Sequence, residues 1–534
     1  PLKADCLPFS QVPHTSRLFL DFLQGAPGVK AFYPRSARFS EWFKDETSKI
    51  SYDSARRERV AGILGRQNKS WGASATTLEN IGRLKNGAFA AVTGQQVGLF
   101  GGPVFSFYKA LSAVKLAEEA TKAGVDCVPI FWLATQDHDL EEVNQVSIPG
   151  PDAQLKKISA AADGVPGAPV ANVKLGAEAS LNAVAELLGD SEGISLLREA
   201  YRAGESFGSG FARLFAQLFG EWGVILLDAS DPELNAIAAP IYGAAIDRAE
   251  ELDEKLLARG KELEAAGYHQ QVKVTPSSTF VFNLKDGVRT PIQRGSSGDF
   301  GIGDERIGKA ELLERIKAKP QDFSASVLLR PVVQDLLLPT IAYTGGAAET
   351  AYFAQAAVVY QAIAGRVTPV VPRYSATVLE TKPQALLEKY EMRLTDVIAG
   401  PESVRERLAS QTLPQELRSA FDDAEANLTK SMAKVTDLLG KLDKTLIEAS
   451  SNAASKIAHQ LESLRSRAAK AELRQSEVLG RHADILSNLL FPGKALQERQ
   501  IGAIYFIARY GKQFLRELHE VIHMDCPDHQ VLTL

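Results

Sequence analysis

The sequence predicts an α/β fold organised around a doubly wound, mainly parallel sheet, and three observations lead there. Four apolar runs with strand character are spread along the chain: AFAAVT (88–93), CVPIFWLAT (127–135), GVILLD (223–228) and LLLPTIAYT (336–344). Helical periodicity separates most of them, at 103–123, 206–221 and 232–266, and alternating strands and helices build parallel sheets covered on both faces. Glycine-rich or charged words follow three of the runs directly, at the carboxyl edge where open parallel sheets hold ligands.

Before the first strand, TSRLFLDFLQG begins with N-capping residues and stops at Gly25, and SYDSARRERVAGIL reads as a charged helix, so residues 15–86 form a helical preface. Pro103, a favoured first helical residue, opens the helix after strand 88–93. Two stretches break the alternation and read as insertions. Residues 150–180 are rich in Gly, Ala and Pro, and 271–305 contain STFVFNLKDGVRTPIQR, where Asp286-Gly287 marks a β-hairpin. A short strand at 369–372 precedes Arg373.

Beyond Glu380 the composition becomes that of long helices. Leu428, Met432, Val435, Leu439, Leu442, Leu446, Ala449 and Ala453 follow a 4-3-4-3 spacing, resumed at Ile457, Leu461, Leu464, Ala468 and Ala471, which is a coiled-coil seam. A turn at Gly440 and the following KLD makes it an antiparallel hairpin in preference to one rod of ~90 Å. The last segment, from FPGKALQERQ, is amphipathic and expected to pack back on the core. The organisation is therefore a core over 1–380 with insertions at about 150–205 and 267–320, a helical coiled-coil region over 381–490, and a C-terminal segment over 491–534.

Composition narrows the function. The 534 residues are 45% hydrophobic and 23% charged with a net charge of −5, so no basic field attracts nucleic acid or an anionic membrane. No run of ~18 apolar residues occurs, and a cytoplasmic protein is expected. Cys6, Cys127 and Cys526 lie far apart without metal-ligand spacing, which argues against a disulfide framework, a thiolate zinc site or thiol catalysis.

Three clusters carry candidate chemistry. In TGQQVGLFGGP, Thr93 to Pro103, glycines Gly94, Gly98, Gly101 and Gly102 allow close backbone approach, and free N–H groups at a helix start favour an anion. The loop is neither a Walker A sequence nor GxGxxG, and a plain packing turn is the bland alternative. Gln95 and Gln96 both donate and accept, which suits a sugar hydroxyl or an amino-acid head group. In QDHDLEE, His138 held by Asp137 or Asp139 would take a proton from an amine or steady a phosphate, and an Asp/His cluster also suits a metal; the bland alternative is that Asp139 caps a helix beginning at Leu140. In LLRPVVQDLLLPTIAYTGGAAE, Gly345 and Gly346 join a strand to a helix whose first turn holds Glu349, fit for an ammonium or a ribose. Arg330 and Arg373 suit carboxylates or phosphates or else serve structurally, Lys109 either leans toward the anion of the first glycine loop or is solvated, and Trp132 is either core or a stacking platform.

Taken together, VTGQQVGLFGGPVFSFYKA, PIFWLATQDHDLEEVNQV, LLRPVVQDLLLPTIAYTGGAAETAYFAQ, PVVPRYSATVLE and FPGKALQERQ, in this order over residues ~10–530, resemble the BshC family of bacillithiol biosynthesis. The resemblance implies a Rossmann-like parallel sheet core with connecting insertions, plus an α-helical antiparallel coiled coil associated with a homodimer. It also implies a ligase that joins the carboxyl of L-cysteine to the amine of glucosaminyl-malate; since a free carboxylate needs activation to form an amide in water, ATP (or ADP) with Mg2+ is expected beside it, and the cysteine spacing gives no expectation of zinc. Asn144 and Tyr352 join the substrate-binding set on this basis, and Asp137, His138 and Asp139 the catalytic one. GGAAE stands where Gly-Gly-Pro-Gly-Glu is usual, and Gln136 where Glu is expected. A nucleotide-binding scaffold or regulatory protein using its coiled coil as a docking arm, and a sugar nucleotidyltransferase, are the alternatives. Ordinary tRNA charging is disfavoured, because the HIGH and KMSKS words are missing.

Overall fold

The computed structural model describes residues 2–534, the side chains of 410–412, 470 and 472–475 excepted. In chain order, the elements that build and surround the central sheet are β1 (Phe89–Gln95), α1 (Phe105–Lys122), β2 (Cys127–Leu133), α2 (Leu140–Val143), α3 (Phe207–Phe219), β3 (Ile225–Asp228), α4 (Pro232–Asp247) and α5 (Ala249–Ala265). Next come β4 (Ser278–Lys285), β5 (Val288–Arg294), β6 (Phe300–Ile302), β7 (Glu305–Ile307), β8 (Phe323–Ala325), α6 (Arg330–Leu337), β9 (Thr340–Gly345), α7 (Ala347–Ala364) and β10 (Val370–Pro372). The helical run 232–266 divides at Arg248 into α4 and α5.

The central sheet has the order β10-β9-β1-β2-β3, and each neighbouring pair is parallel. Its strands are apolar on both faces because helices cover both; all seven residues of β2 are buried. One large apolar cluster joins Val92, Ile130 and Leu227 to the flanking helices, and a second packs Ala91 and Cys127 against Leu116 and the Phe39–Phe43 aromatic stack. The order reverses between β1 and β9: the chain winds outward from β1 through β2 to β3, then returns to β9 on β1's other side. That reversal opens a crevice at the carboxyl ends of β1 and β9.

The hairpin predicted at Asp286-Gly287 is present, with Val288 opposite Lys285. It belongs to an antiparallel sheet of order β7-β6-β5-β4-β8. The earlier insertion holds two small antiparallel pairs, Gln145–Pro149 with Leu155–Ser159 and Ala161–Asp163 with Lys174–Gly176.

The chain divides into two compact units. One comprises residues up to 150, 155–377 and 498–532; the other comprises 151–154, 378–497 and 533–534. The second contains α8 (Gln415–Leu442) and α9 (Leu446–Gln475), antiparallel because Thr436 meets Ser450 and Arg465 meets Asp422. The turn falls after Gly440, at 443–445, where the Asp443 carboxylate accepts from the Thr445 N–H and hydroxyl, each at 2.8 Å. Gly440 instead gives close approach: a Cβ there would lie 3.1 Å from Ile447 Cδ1. The predicted seam is only partly inside the hairpin, since Val435, Leu442, Ile457 and Leu464 are exposed.

Within the first unit the C-terminal segment adds to the core. Val104 N–H donates to Ile501 O and Ala503 N–H to Gly102 O, both at 2.9 Å. The distant Cys6 and Cys526 meet there, Sγ to Sγ 2.9 Å, as free thiols. His529 is fully buried, with Ser375 Oγ at Nδ1 and Thr377 Oγ1 at Nε2, each 2.8 Å away. Burial lowers its imidazole pKa to about 4. The neutral ring therefore contributes stability that is complete above the unfolded value of ~6.5 and lost as pH falls toward the folded one. Urea unfolding of the wild type should lose on the order of 2 kcal/mol between pH 7 and pH 5 from this residue, and a His529→Gln variant should show a correspondingly flatter pH dependence; equal slopes would remove His529 from the account.

Candidate active site

Glycine at the ends of β1 and β9 lets two side chains from different helices meet at the strand reversal. The Lys109 ammonium, from α1, lies 2.6 Å from Glu349 Oε2, in the first turn of α7. It also donates to Gly94 O at 2.7 Å and to Gln95 Oε1 at 2.8 Å. Glu349 further accepts from Gly346 N–H at 2.8 Å and from the Tyr343 hydroxyl at 2.5 Å. Burial pulls the Lys109 pKa down to about 8 against the opposing pull of Glu349. For Glu349 burial acts upward, but Lys109 and the other donors outweigh it and hold the carboxyl below its ordinary value. An ion pair within the apolar crevice follows.

From this pair a line of amides runs outward. Gln95 Nε2 donates to Gln96 Oε1 at 2.7 Å, and Gln96 Nε2 donates to Asp137 Oδ2 at 3.2 Å and Glu142 Oε2 at 3.0 Å. Burial, with Asp139 and Asp137 adding repulsion, raises the Glu142 carboxyl above its ordinary value. Asp137 is also paired with Arg289 of β5 at 3.5 Å. That arginine stacks 3.9 Å from the Phe282 ring and donates to Ser324 Oγ and Ala325 O.

These groups surround a cavity of about 700 Å³. One wall is the crevice, with Gly94, Gln95, Gln96, Lys109, Trp132, Gly346, Glu349 and Tyr352; the other is the inserted sheet and its flanks, including Phe280, Phe282, Ile292 and Val327. Arg330 lies between the walls, 5.8 Å from the Trp132 ring and 5.2 Å from the Tyr343 ring. It donates to Gln334 Oε1 at 3.1 Å and to the Tyr352 hydroxyl at 3.0 Å, both neutral. Arg373 also lines the cavity, but both of its terminal nitrogens bind Glu498, at 3.1 and 2.6 Å, and its Nε has no hydrogen-bond partner among the described residues. Arg499, next in the chain, lines the same cavity and is exposed.

Several sequence expectations change. Gly98, Gly101 and Gly102 do not line the cavity, so the anion cradle is not formed by the whole loop. A Cβ on Gly98 would lie 2.8 Å from Gly102 Cα, and Gly102 has φ +67°; these residues close a tight turn that Ala503 seals. Thr93 is fully buried and its hydroxyl sutures β1 to Thr344 O at 2.9 Å. Asn144 caps α2 away from the cavity, and Gly345 packs against Glu349. Asp139 is the N-cap of α2, accepting from Glu142 N–H at 3.0 Å. His138 stands outside the cavity lining, half exposed, and its Nδ1 lies 3.1 Å from Arg289 Nη1 and 3.4 Å from Asp137 Oδ1. Glu142, Arg289, Tyr343, Glu498 and Arg499 were not selected from sequence. Glu142 lies in the first turn of the short α2, where acidic residues are ordinary, Arg289 lies in an insertion, and Glu498 and Arg499 lie more than a hundred residues from Arg373.

A parallel sheet in this winding order, with glycine turns and polar side chains at its reversal, defines a Rossmann-like α/β protein with a crevice at the strands' carboxyl edge. Residues 2–374 match the family model described as Bacillithiol biosynthesis BshC, N-terminal Rossmann-like domain, and residues 376–534 match Bacillithiol biosynthesis BshC, C-terminal coiled-coil domain. The chain belongs to the BshC family. It is 47% identical over 532 residues to the "Putative cysteine ligase BshC" of Koribacter versatilis, covering 99% of both chains. Proteins of the same name from Solibacter usitatus and Geobacillus thermodenitrificans are 34% identical, covering 100% of both chains, and 30% identical, covering 98% of this chain and 99% of theirs.

The buried pair gives a direct test. Lys109→Met leaves Glu349 without its counter-charge and should cost about 3–5 kcal/mol of unfolding free energy, whereas Lys109→Met with Glu349→Gln should recover part of it. A single variant within about 1 kcal/mol of wild type by urea denaturation would show that the crevice does not depend on the pair.

Proposed function

We propose that the protein is a carbon–nitrogen ligase that joins the carboxyl of L-cysteine to the amine of glucosaminyl-malate in bacillithiol biosynthesis. The observation that carries this reading is the charge layout of one cavity: Arg330, hydrogen-bonded to the Gln334 amide and the Tyr352 hydroxyl, and the exposed Arg499 among its lining, and Asp137 and Glu142 bridged by Gln96. Guanidinium forks suit the substrate's malyl carboxylates or a phosphate, and acidic groups suit its ammonium. The names of the relatives supply the cysteine.

A free carboxylate does not acylate an amine in water, so ATP with Mg2+ is proposed to supply the leaving group on the cysteine carboxyl. Of the residues present, Asp137 fits it, as a carboxylate of the kind Mg2+ takes alongside phosphate and water. The chain's own residues would then do three things. Arg330 and Arg499 hold the anionic end of the substrate, while Gln95 and Gln96 read its hydroxyls. Glu142, made more basic by burial, takes the proton that the amine loses as its nitrogen bonds to the acyl carbon. The apolar wall of Phe280, Phe282 and Ile292 keeps water from competing for that carbon. A homodimer through the coiled-coil helices and a cytoplasmic location complete the proposal; the exposed Leu438, Leu442 and Leu464 support the former.

Incubation with glucosaminyl-malate, L-cysteine, ATP and Mg2+, followed by mass spectrometry, should show the amide product with AMP or ADP released. Glu142→Gln should lower kcat about 10²-fold or more, and His138→Ala by less, because its ring lies outside the cavity lining. Nucleotide binding without turnover, or a nucleotidyl-sugar product, would replace this reading with a scaffold or a transferase.

A further inference from the structure

We propose that Cys6 and Cys526 form a redox site: a thiol pair that closes to a reversible disulfide on exposure to a low-molecular-weight disulfide. The sulfurs lie 2.9 Å apart across 520 residues of sequence. A disulfide bond is ~2.05 Å long, so closure asks for less than about 1 Å of further approach. Two features set this pair apart from an incidental contact. The Gln530 amide, on a residue only 5% exposed, donates toward both sulfurs, to Cys526 Sγ at 2.9 Å and Cys6 Sγ at 3.3 Å, and so holds them side by side. Access is also asymmetric: Cys6 is exposed on the strand Lys3–Leu7, whereas Cys526 is half-buried. The third cysteine, Cys127, is buried in β2.

That asymmetry assigns the steps. The Cys6 thiolate, having given its proton to solvent, attacks one sulfur of the small disulfide, forming a mixed disulfide and expelling one small thiolate. Cys526 then loses its proton and attacks Cys6 Sγ, expelling the second thiolate. The two protons end on the two released thiols, and the two electrons lost by the cysteines reduce the incoming disulfide. Burial and the neighbouring Cys6 raise the Cys526 thiol to about 11, which makes the resolving step the slower one.

The closed bond would tie the strand Lys3–Leu7 to the segment just before the strand that carries His529 and Gln530. Gln530 N–H donates to Ser375 O at 2.9 Å, and the Ser375 hydroxyl donates to Glu498, the partner of Arg373. Oxidation should therefore stabilise the segment that holds Arg373 against the cavity.

The full-length protein is incubated with oxidised glutathione as the probe and digested without reduction. The expected result is a peptide linking Cys6 to Cys526, loss of two hydrogens from the intact mass, a raised melting temperature, and reversal of all three by dithiothreitol. Cys6→Ser and Cys526→Ser each remove the linked peptide and the melting shift, and Cys526→Ser should leave a stable glutathione adduct on Cys6. Wild-type protein in which both thiols stay reduced, carry separate adducts, or link only to Cys127 or to another chain overturns the proposal.

Discussion

The ion pair between Lys109 and Glu349 is the constraint around which the crevice is arranged. It joins the first helix after β1 to the first turn of α7, and therefore the two strands between which the winding direction reverses. Two unit charges in an apolar crevice are tolerated only when each is paired and its remaining hydrogen-bonding capacity is filled. Lys109 fills its capacity with Gly94 O and Gln95 Oε1; Glu349 does so with Gly346 N–H and the Tyr343 hydroxyl. Each of these partners lies at or beside a strand end, so satisfying one charge pair fixes the geometry of both glycine turns.

The same accounting separates the other cations by role. Arg373 is neutralised by Glu498, a buried carboxylate that also accepts from Ser375 Oγ at 3.0 Å and Ala376 N–H at 3.1 Å. The C-terminal segment therefore supplies a counter-charge that the sheet lacks, which gives a physical reason for its membership of the first unit. Arg330 is different: its hydrogen-bond partners are an amide oxygen and a hydroxyl, and aromatic faces of Trp132 and Tyr343 flank it. Aromatic faces and neutral oxygens solvate a guanidinium without cancelling its charge. Its positive field is left for whatever anion enters the cavity.

Much of this was legible in the chain. The parallel sheet, the hairpin at Asp286-Gly287 and the long helices after Glu380 follow from periodicity and turn chemistry, which are local. Gly94, Gln95, Gln96, Lys109, Arg330, Glu349 and Arg373 were picked out because they stand at strand ends or just inside the elements that flank them, and the structure gathers them around one cavity. What was not legible depends on contacts between distant segments. Neither the Arg373–Glu498 pair nor the meeting of Cys6 with Cys526 leaves any spacing signal. Local patterns also carried two readings where one residue type serves two ends: Gly440 looked like a turn and is a point of close approach, while of the two readings of Asp139, an orienting carboxylate for His138 and a cap for the helix at Leu140, the structure shows the cap.

The two adjacent glutamines show why a neutral pair sits among so many charges. Along the line from Lys109, each amide accepts on the side facing the cation and donates on the side facing the acids: Gln95 Oε1 accepts a hydrogen bond from the ammonium and its Nε2 donates to Gln96 Oε1, and Gln96 Nε2 donates to Asp137 and Glu142. Only a group carrying both an acceptor and a donor can hold that position twice in succession. A carboxylate at Gln96 would crowd a third negative charge against Asp137 and Glu142, and a carboxylate at Gln95 would compete with Glu349 for Lys109. With amides, the dipoles align head to tail and each bond polarises the next. The cationic and acidic ends of the cavity are thus coupled by a chain of amides that carries no net charge.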